Sequence, residues 1–462
     1  MKRRNFGLLA GTSLVTVSTL RAARAQSATP DPSLLTTTLT PMGSERAGNA
    51  DGSIPAWTGG VTSPPLPANT PIDVAMFADE APLYTVDSSN IAQYQNLLTA
   101  GTQELMSKYG FSLKVYQCHR TAACPKYVYD NIAQNAVRAK LDPAGGEYGF
   151  TGGYGGIPFP IIDTANPLNG GAQLIWNHLL AWPGSYQNWT TFSPSLVVSN
   201  GTMVLSEGGK SRFEYPYYDP NGSLETYKGY FYKLHESIVA PANVNGQEDL
   251  VWQSSNTLLN PDITWTVLNG QGRVRKAPNE TYDTPSPNIN DIGNSDEGSA
   301  FQGSPDEYNW TYIDKREMLI PYNNNGLHFH TAQEIMGPRF PNPDLVRWEK
   351  HRVWIVEANL RPGKRNVLQR RRFYLDEDTW QAILGESYDA NGAMVKCYTV
   401  YNRCVPSMPG TVEQGMVLFN LMTGQYAYVG SINYPPYTGD EYVAPIGNSV
   451  FDPQAMAATA AF

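Results

Sequence analysis

Ile263-Thr264-Trp265-Thr266-Val267-Leu268-Asn269-Gly270-Gln271-Gly272-Arg273-Val274-Arg275 is the stretch that decides the fold. Apolar and polar side chains alternate at period two, the repeat of a strand with one buried face. Asn269-Gly270 supplies residues that accept positive φ, so the chain turns back as a hairpin, with Gln271-Gly272 lengthening the loop. Tyr388-Asp389-Ala390-Asn391-Gly392-Ala393-Met394-Val395 repeats the signal around a second Asn-Gly turn. Val353-Trp354-Ile355-Val356-Glu357-Ala358, Arg372-Phe373-Tyr374-Leu375, Met416-Val417-Leu418-Phe419 and Tyr426-Ala427-Tyr428-Val429 read as further strands. Strand after strand joined by short turns predicts an antiparallel meander over residues 185–462. A meander this long must curl or close to protect its edges.

Upstream the pattern changes. Residues 86–184 carry helical stretches at Ile91 to Leu98 (with Asn90 as N-cap), Thr102 to Tyr109, Asn131 to Lys140 and Ala172 to Leu180. These predict helices packed on the sheet, so the fold class is mainly β with capping helices (α+β). Residues 26–85 hold Pro41, Pro55, Pro64, Pro65, Pro67 and Pro71, which rule out a continuous helix or central strand. They read as an extended arm laid over the body and pinned by Trp57. Residues 279–309, rich in Asn and Asp, read as a loop interrupting the meander.

Residues 1–25 have the form of an export signal. Lys2-Arg3-Arg4 precede a soft apolar stretch, and Ala23-Arg24-Ala25 offers a small-x-small cleavage site. Arg3-Arg4-Asn5-Phe6 resembles a twin-arginine signal, with an ordinary secretory signal as the alternative. Removing the five basic residues of this leader takes the basic count from 33 to 28 against 42 acids, about −14 in the mature chain. That sign disfavours nucleic acid as a partner. In an oxidising compartment, Cys118/Cys124 and Cys397/Cys404 read as two local disulfides. A four-thiolate zinc site would need closer spacing within each pair.

No signature of catalysis stands out. Gly208-Gly209-Lys210-Ser211 resembles the end of a phosphate loop, but Val204 occupies the first glycine position. His328-Phe329-His330 would put two imidazoles on one face of a strand, without a third ligand at a diagnostic spacing. Asp291, Asn294, Asp296 and Glu297 lack the terminal Glu of a calcium loop and read as a polar loop. Asp376-Glu377-Asp378 offers paired acids for glycoside chemistry, but reads more simply as a solvated turn. Arg361, Lys364, Arg365, Arg370, Arg371 and Arg372 read as a charged strand face.

Several longer motifs occur in a fixed order. Leu39-Thr40-Pro41-Met42-Gly43, Gly48-Asn49-Ala50-Asp51-Gly52 and Trp57-Thr58-Gly59-Gly60 open the series. His119-Arg120-Thr121-Ala122-Ala123, Gly156-Ile157-Pro158-Phe159-Pro160 and Ile175-Trp176-Asn177-His178-Leu179 follow. Arg273-Val274-Arg275-Lys276-Ala277-Pro278, Tyr282-Asp283-Thr284-Pro285, Ile320-Pro321-Tyr322-Asn323-Asn324, Arg347-Trp348-Glu349, His351-Arg352-Val353-Trp354 and Arg372-Phe373-Tyr374 complete it. In these the chain resembles the domain-of-unknown-function family 1329 of Gram-negative bacteria. The resemblance implies a half-open antiparallel barrel like that of the LolA/LolB lipoprotein carriers. It also implies work beside outer-membrane proteins and resistance-nodulation-division exporters, on hydrophobic compounds, with no catalytic residue to carry over; no metal or cofactor is expected. The chain departs from the family at Cys118 and Cys124, which flank His119-Arg120.

These readings converge on a periplasmic carrier of a lipid or apolar small molecule. Trp176, Leu179, Leu180, Trp265 and Trp354 are the candidates to line its cavity, each of which reads more simply as plain core. The rival readings are a secreted lipid or glycan hydrolase using His178, His328 or His330 as base, and an adaptor docking on an outer-membrane protein through the arm.

Overall fold

The computed structural model describes residues 30–62, 76–271, 273–277, 282–442 and 446–459. The leader at 1–25 lies outside the described residues. The strands are β1 (Tyr84–Val86), β2 (Leu113–Val115), β3 (Lys140–Leu141), β4 (Phe150–Thr151), β5 (Gln187–Ser199), β6 (Thr202–Glu214), β7 (Tyr230–Ala240), β8 (Glu248–Ser254) and β9 (Ile263–Val267). They continue with β10 (Arg275–Lys276), β11 (Tyr308–Pro321), β12 (Arg347–Leu360), β13 (Arg370–Asp376), β14 (Ala382–Tyr388), β15 (Met394–Val405), β16 (Gly410–Asn420), β17 (Tyr426–Gly430) and β18 (Glu441–Tyr442). The helices are α1 (Ile91–Tyr94), α2 (Ala100–Tyr109), α3 (Lys126–Arg138), α4 (Pro167–Leu179), α5 (Ala332–Ile335) and α6 (Pro453–Thr459).

Sixteen strands form one sheet in the order β1-β2-β12-β13-β14-β15-β16-β17-β5-β6-β7-β8-β9-β10, with β11 on β12 and β18 on β5. Every pairing is antiparallel except that of β2 with β12. The sheet curls without closing. The meander is continuous from β12 to β17, then jumps back to β5 and continues to β10. The two Asn-Gly hairpins form where the sequence places them: Arg275 pairs with Thr266, Met394 pairs with Tyr388, and Gly270 and Gly392 sit at φ 73° and 77°.

The central strands are buried on both faces, which is why they read as apolar runs more than as a clean alternation. Trp354, Val356, Met416 and Leu418 enter one core with α3 and α4. Their neighbours Val353, Ile355, Val417 and Phe419 enter a second core with α2 and α5. Thr99 caps α2 through its side chain and Gly110 ends it at φ 75°, whereas Asn166 and Pro167 open α4. Asn90 makes no side-chain cap, and the helix it precedes breaks after one turn into a 3-10 segment.

The cysteine expectation is corrected. All four are buried, and neither expected pair forms a disulfide among the described residues. Cys397 and Cys404 lie seven residues apart on β15, so their Cα atoms are roughly 20 Å apart at the rise of a strand, far beyond the ~7 Å a disulfide spans. Cys118 Sγ faces His351 Nε2 at 3.6 Å, and Cys124 Sγ faces Met42 Sδ at 3.2 Å. Burial pushes the Cys118, Cys124 and Cys397 thiols up, away from the reactive thiolate.

Candidate functional site

Two constellations of polar side chains are built into this frame. The first holds the arm. β13 ends at Asp376, and Asp376, Glu377 and Asp378 follow as a turn that is at most 2 % exposed at each residue, not the solvated turn read from the sequence. Arg120 donates to both Asp378 oxygens (2.8 and 2.6 Å) and to the Glu45 carbonyl of the arm (2.8 Å). Glu377 accepts Lys315 (2.6 Å), Arg352 (3.2 Å) and the Glu45 backbone N–H (3.2 Å). Trp380 Nε1 donates to the Met42 carbonyl, and Trp57 Nε1 to that of Ala122. The arm meets this cluster through Glu45, between two of its motifs, and through Met42.

His351 lies between Glu349 (3.1 Å) and Asp376 (3.9 Å). Burial alone would lower its pKa, but Cys118, Glu349 and Asp376 outweigh burial and hold it well above the ordinary value. Burial, then the neighbouring Asp378, pushes Asp376 up to about 7. Cys118, Glu349 and His351, and His351, Asp376 and Asp378, are sets whose ligand atoms converge well enough to hold a metal. Two of the three carboxylates are already matched by charged or amide donors: Glu349 takes Arg347 at 2.5 Å and Asn323 at 3.0 Å, and Asp378 takes Arg120, whereas Asp376 accepts only Thr379, on Oδ2. The arrangement is that of an ion-pair clamp.

The second constellation is a cavity of about 470 Å³ on the inner face of the curled sheet. Its walls are β5 to β8 on one side and the β14–β17 region on the other, with the end of α4 (His178, Leu179) and Trp182 along one rim. Its roof is the Asn- and Asp-rich loop, through Ile289, Asn294, Ser295 and Glu297. That loop is not the ordinary polar loop expected. Asp296 and Glu297 are buried and paired with Arg371 (2.7 Å) and Lys396 (2.6 Å), which offsets the cost of burying their charge. Arg371 thus leaves the expected charged strand face and is wholly buried, while Arg370 and Arg372 stay on it, paired with Glu357.

The period of two writes the cavity face. Glu207, Ser211 and Phe213 on β6 and Tyr232, Leu234 and Glu236 on β7 all line it. Burial first, then repulsion by Glu236 and Asp249, pushes Glu207 up to about 9. Burial and Asp249 push Glu236 up to about 7. Sequence reading passed over both acids. The available signal was a carboxylate at an inward-facing position of a strand, legible only once the register was known.

Of the candidates to line the cavity, Leu179 does so. Trp176 and Leu180 are buried in the α3–α4 core, with Trp176 Nε1 bound to the Gly146 carbonyl (2.7 Å). Trp354 belongs to the same core and stacks on Trp380 at 6.1 Å. Trp265 packs edge-on against Trp252 beside α6, in a separate small cluster.

The histidines do not converge. His178 touches the cavity, but Nδ1 accepts the Ala382 N–H (3.0 Å) and Nε2 is bound to the Phe301 carbonyl (2.9 Å), and burial lowers its pKa to about 4. His328 lies in a 3-10 turn, not on a strand, with Nδ1 3.3 Å from Arg403, and His330 lies 3.7 Å from Glu334.

Comparison with known proteins gives relatives for the chain. "Uncharacterized protein PA3922" of Pseudomonas aeruginosa is 34% identical over 414 residues, 86% of this chain and 87% of its own. Among solved structures, a DUF1329 family protein from Desulfovibrio piger is similar at a TM-score of 0.43 and 14% identity, covering 63% of this chain and 99% of its own. The LolA superfamily protein NE2245 from Nitrosomonas europaea is similar at a TM-score of 0.34 and 9% identity, covering 61% and 97%. The model of the family described as "Protein of unknown function (DUF1329)" matches residues 85–457, so the chain belongs to that family.

Proposed function

We propose that this protein is a periplasmic carrier of hydrophobic ligands, lipid or apolar small molecule, working beside outer-membrane or exporter components, and that it is not an enzyme. The observation that carries the reading is the cavity. Its volume falls in the range of small-ligand sites, and its walls combine Leu179, Trp182, Phe213, Leu234, Val251 and Met416 with Ser, Thr, Asn, Gln and Glu side chains in about equal number, an amphipathic lining. Burying an alkyl chain there contributes about 0.8 kcal/mol per methylene, so binding needs no reacting group. The non-catalytic reading draws on His178, whose two ring nitrogens are both engaged. Export is supported by the leader-like sequence of residues 1–25. Among the described residues no helix is long and apolar enough to cross a membrane.

The adaptor reading loses ground on the arm itself. Glu45 and Met42 of the arm are held to the body by Arg120, Lys315, Arg352 and Trp380, so this part of the arm packs on the body and does not extend from it. The test is native mass spectrometry of protein taken from its own periplasm, followed by extraction. A retained lipid or apolar metabolite, lost when Leu179→Arg puts a charge into the cavity, supports the carrier. An empty protein that binds no alkyl probe overturns it.

A further inference from the structure

We propose that the cavity selects amphiphiles with a cationic head, a protonated amine or quaternary ammonium, seated against Glu207 and Glu236 with its apolar tail along the aromatic wall. This deepens the carrier reading and rests on it. Glu207 is 5 % exposed, faces the cavity, and its carboxylate has no hydrogen-bond or ion-pair partner among the described residues. A buried carboxyl in that condition is costly unless something else fills the site. Glu236 accepts one hydrogen bond, from Ser211 (3.1 Å), and lies directly opposite Asp249 in the β7–β8 register, an unfavourable cross-strand pair of like charges.

Among the described residues no Lys or Arg lines the cavity. The basic side chains of β6 and β7 are used elsewhere: Lys210 is exposed, Arg212 donates to Ser237 (2.9 Å), and Lys233 pairs with Glu214 (2.5 Å). Glu297 already has Lys396 as its partner. The other titratable side chains on the walls are His178, Tyr215, Tyr232 and Glu413. A cation therefore enters a site that lacks one, and an anionic head would add to the repulsion already present. Phe213, Tyr215 and Tyr232 stand beside the acids with ring centroids 5.7 to 6.4 Å apart, a surface suited to the face of an alkylammonium group. A chelated metal ion is a poorer occupant, because the sets of three converging ligands among the described residues lie at His351, outside this cavity.

Burial and the neighbouring acids Glu236 and Asp249 push Glu207 up to about 9, so a cation seated beside it favours the carboxylate and is expected to release a proton to solvent. The experiment is titration calorimetry of the full chain at pH 7.5 with dodecyltrimethylammonium, dodecyl sulfate and uncharged dodecanol, each below its micelle concentration. Each titration is repeated in two buffers of different ionisation enthalpy. The expected result is ammonium binding at least tenfold tighter than sulfate, with proton release for ammonium alone. In the double variant Glu207→Gln/Glu236→Gln the ammonium-to-dodecanol affinity ratio falls tenfold or more. Equal affinity for ammonium and sulfate, or ammonium binding without proton release in the wild-type chain, overturns the inference while leaving the carrier standing. Failure of all three probes to bind overturns both. The proton count needs only wild-type protein, so misfolding of the variant does not remove the test.

Discussion

Arg120→Met should loosen the arm and destabilise the whole protein. Arg120 makes a two-pronged bond to Asp378, lies 3.7 Å from Glu377, and donates to the arm at the Glu45 carbonyl. Removing one partner of a buried pair costs about 3–5 kcal/mol, because the remaining charge stays buried without compensation. That is a large share of the 5–15 kcal/mol by which a folded protein is typically stable. Here the remaining charge belongs to three consecutive carboxylates. Asp376 and Glu377 already lie above the ordinary carboxylate range, whereas Arg120 holds Asp378 below it against burial; in the variant Asp378 rises above its unfolded value and the other two rise further. The folded protein then binds extra protons at low pH and loses that stability as pH rises. The gap between wild type and variant should therefore widen from pH 5 to pH 8.

Urea unfolding at pH 5, 6.5 and 8 reads the gap, and tryptic cleavage after Arg46 reads release of the arm. Arg316→Met, which breaks an exposed 2.7 Å pair with Asp314, is the control and should cost under about 1 kcal/mol. A gap for Arg120→Met no larger than the control's, or one that stays flat with pH, would refute the clamp.

Further outcomes follow from other residues. Glu207 binds its proton more tightly in the folded than in the unfolded chain, up to about pH 9 against an ordinary 4.5, so its stabilising contribution is complete below about 4.5 and lost as pH rises towards 9. Glu207→Gln should therefore raise the melting temperature at pH 8 more than at pH 5, and an equal change at both would count against the buried acid. The four thiols should be inert to Ellman's reagent in the native protein and all four should react in guanidinium, whereas an intact mass lower by 2 or 4 Da would restore the disulfides. Gly43 sits at φ +97°, and a Cβ there would stand 2.2 Å from the Pro160 carbonyl oxygen. Gly43→Ala should cost about 1–3 kcal/mol from backbone conformation alone and expose Arg46 to trypsin, and unchanged proteolysis would argue against close docking of the arm.

The sequence by itself determined what depends on neighbours along the chain. Period-two alternation and two Asn-Gly turns are local properties, so the hairpins at Gly270 and Gly392 and the strands from Val353 to Val429 were legible. So were the helices over Thr102 to Tyr109 and Ala172 to Leu180, and the ordered motifs identified the family. What the sequence could not supply was which charges meet. Asp376-Glu377-Asp378 looks solvated as a string of acids. It is buried because Arg120, Lys315 and Arg352 arrive from distant elements, more than 250 residues away in the case of Arg120. Asp296 and Glu297 became part of a roof for the same reason, through Arg371 and Lys396.

The cysteines show the converse. Short spacing suggested pairing, yet on an extended strand seven residues carry Cys404 well away from Cys397, and only the strand assignment reveals it. The cavity acids needed the most structure of all. Glu207 and Glu236 come to line one cavity only when β6 and β7 pair, with Glu236 opposite Ser211, and their lack of a basic partner among the described residues depends on every side chain around them, which no local pattern encodes.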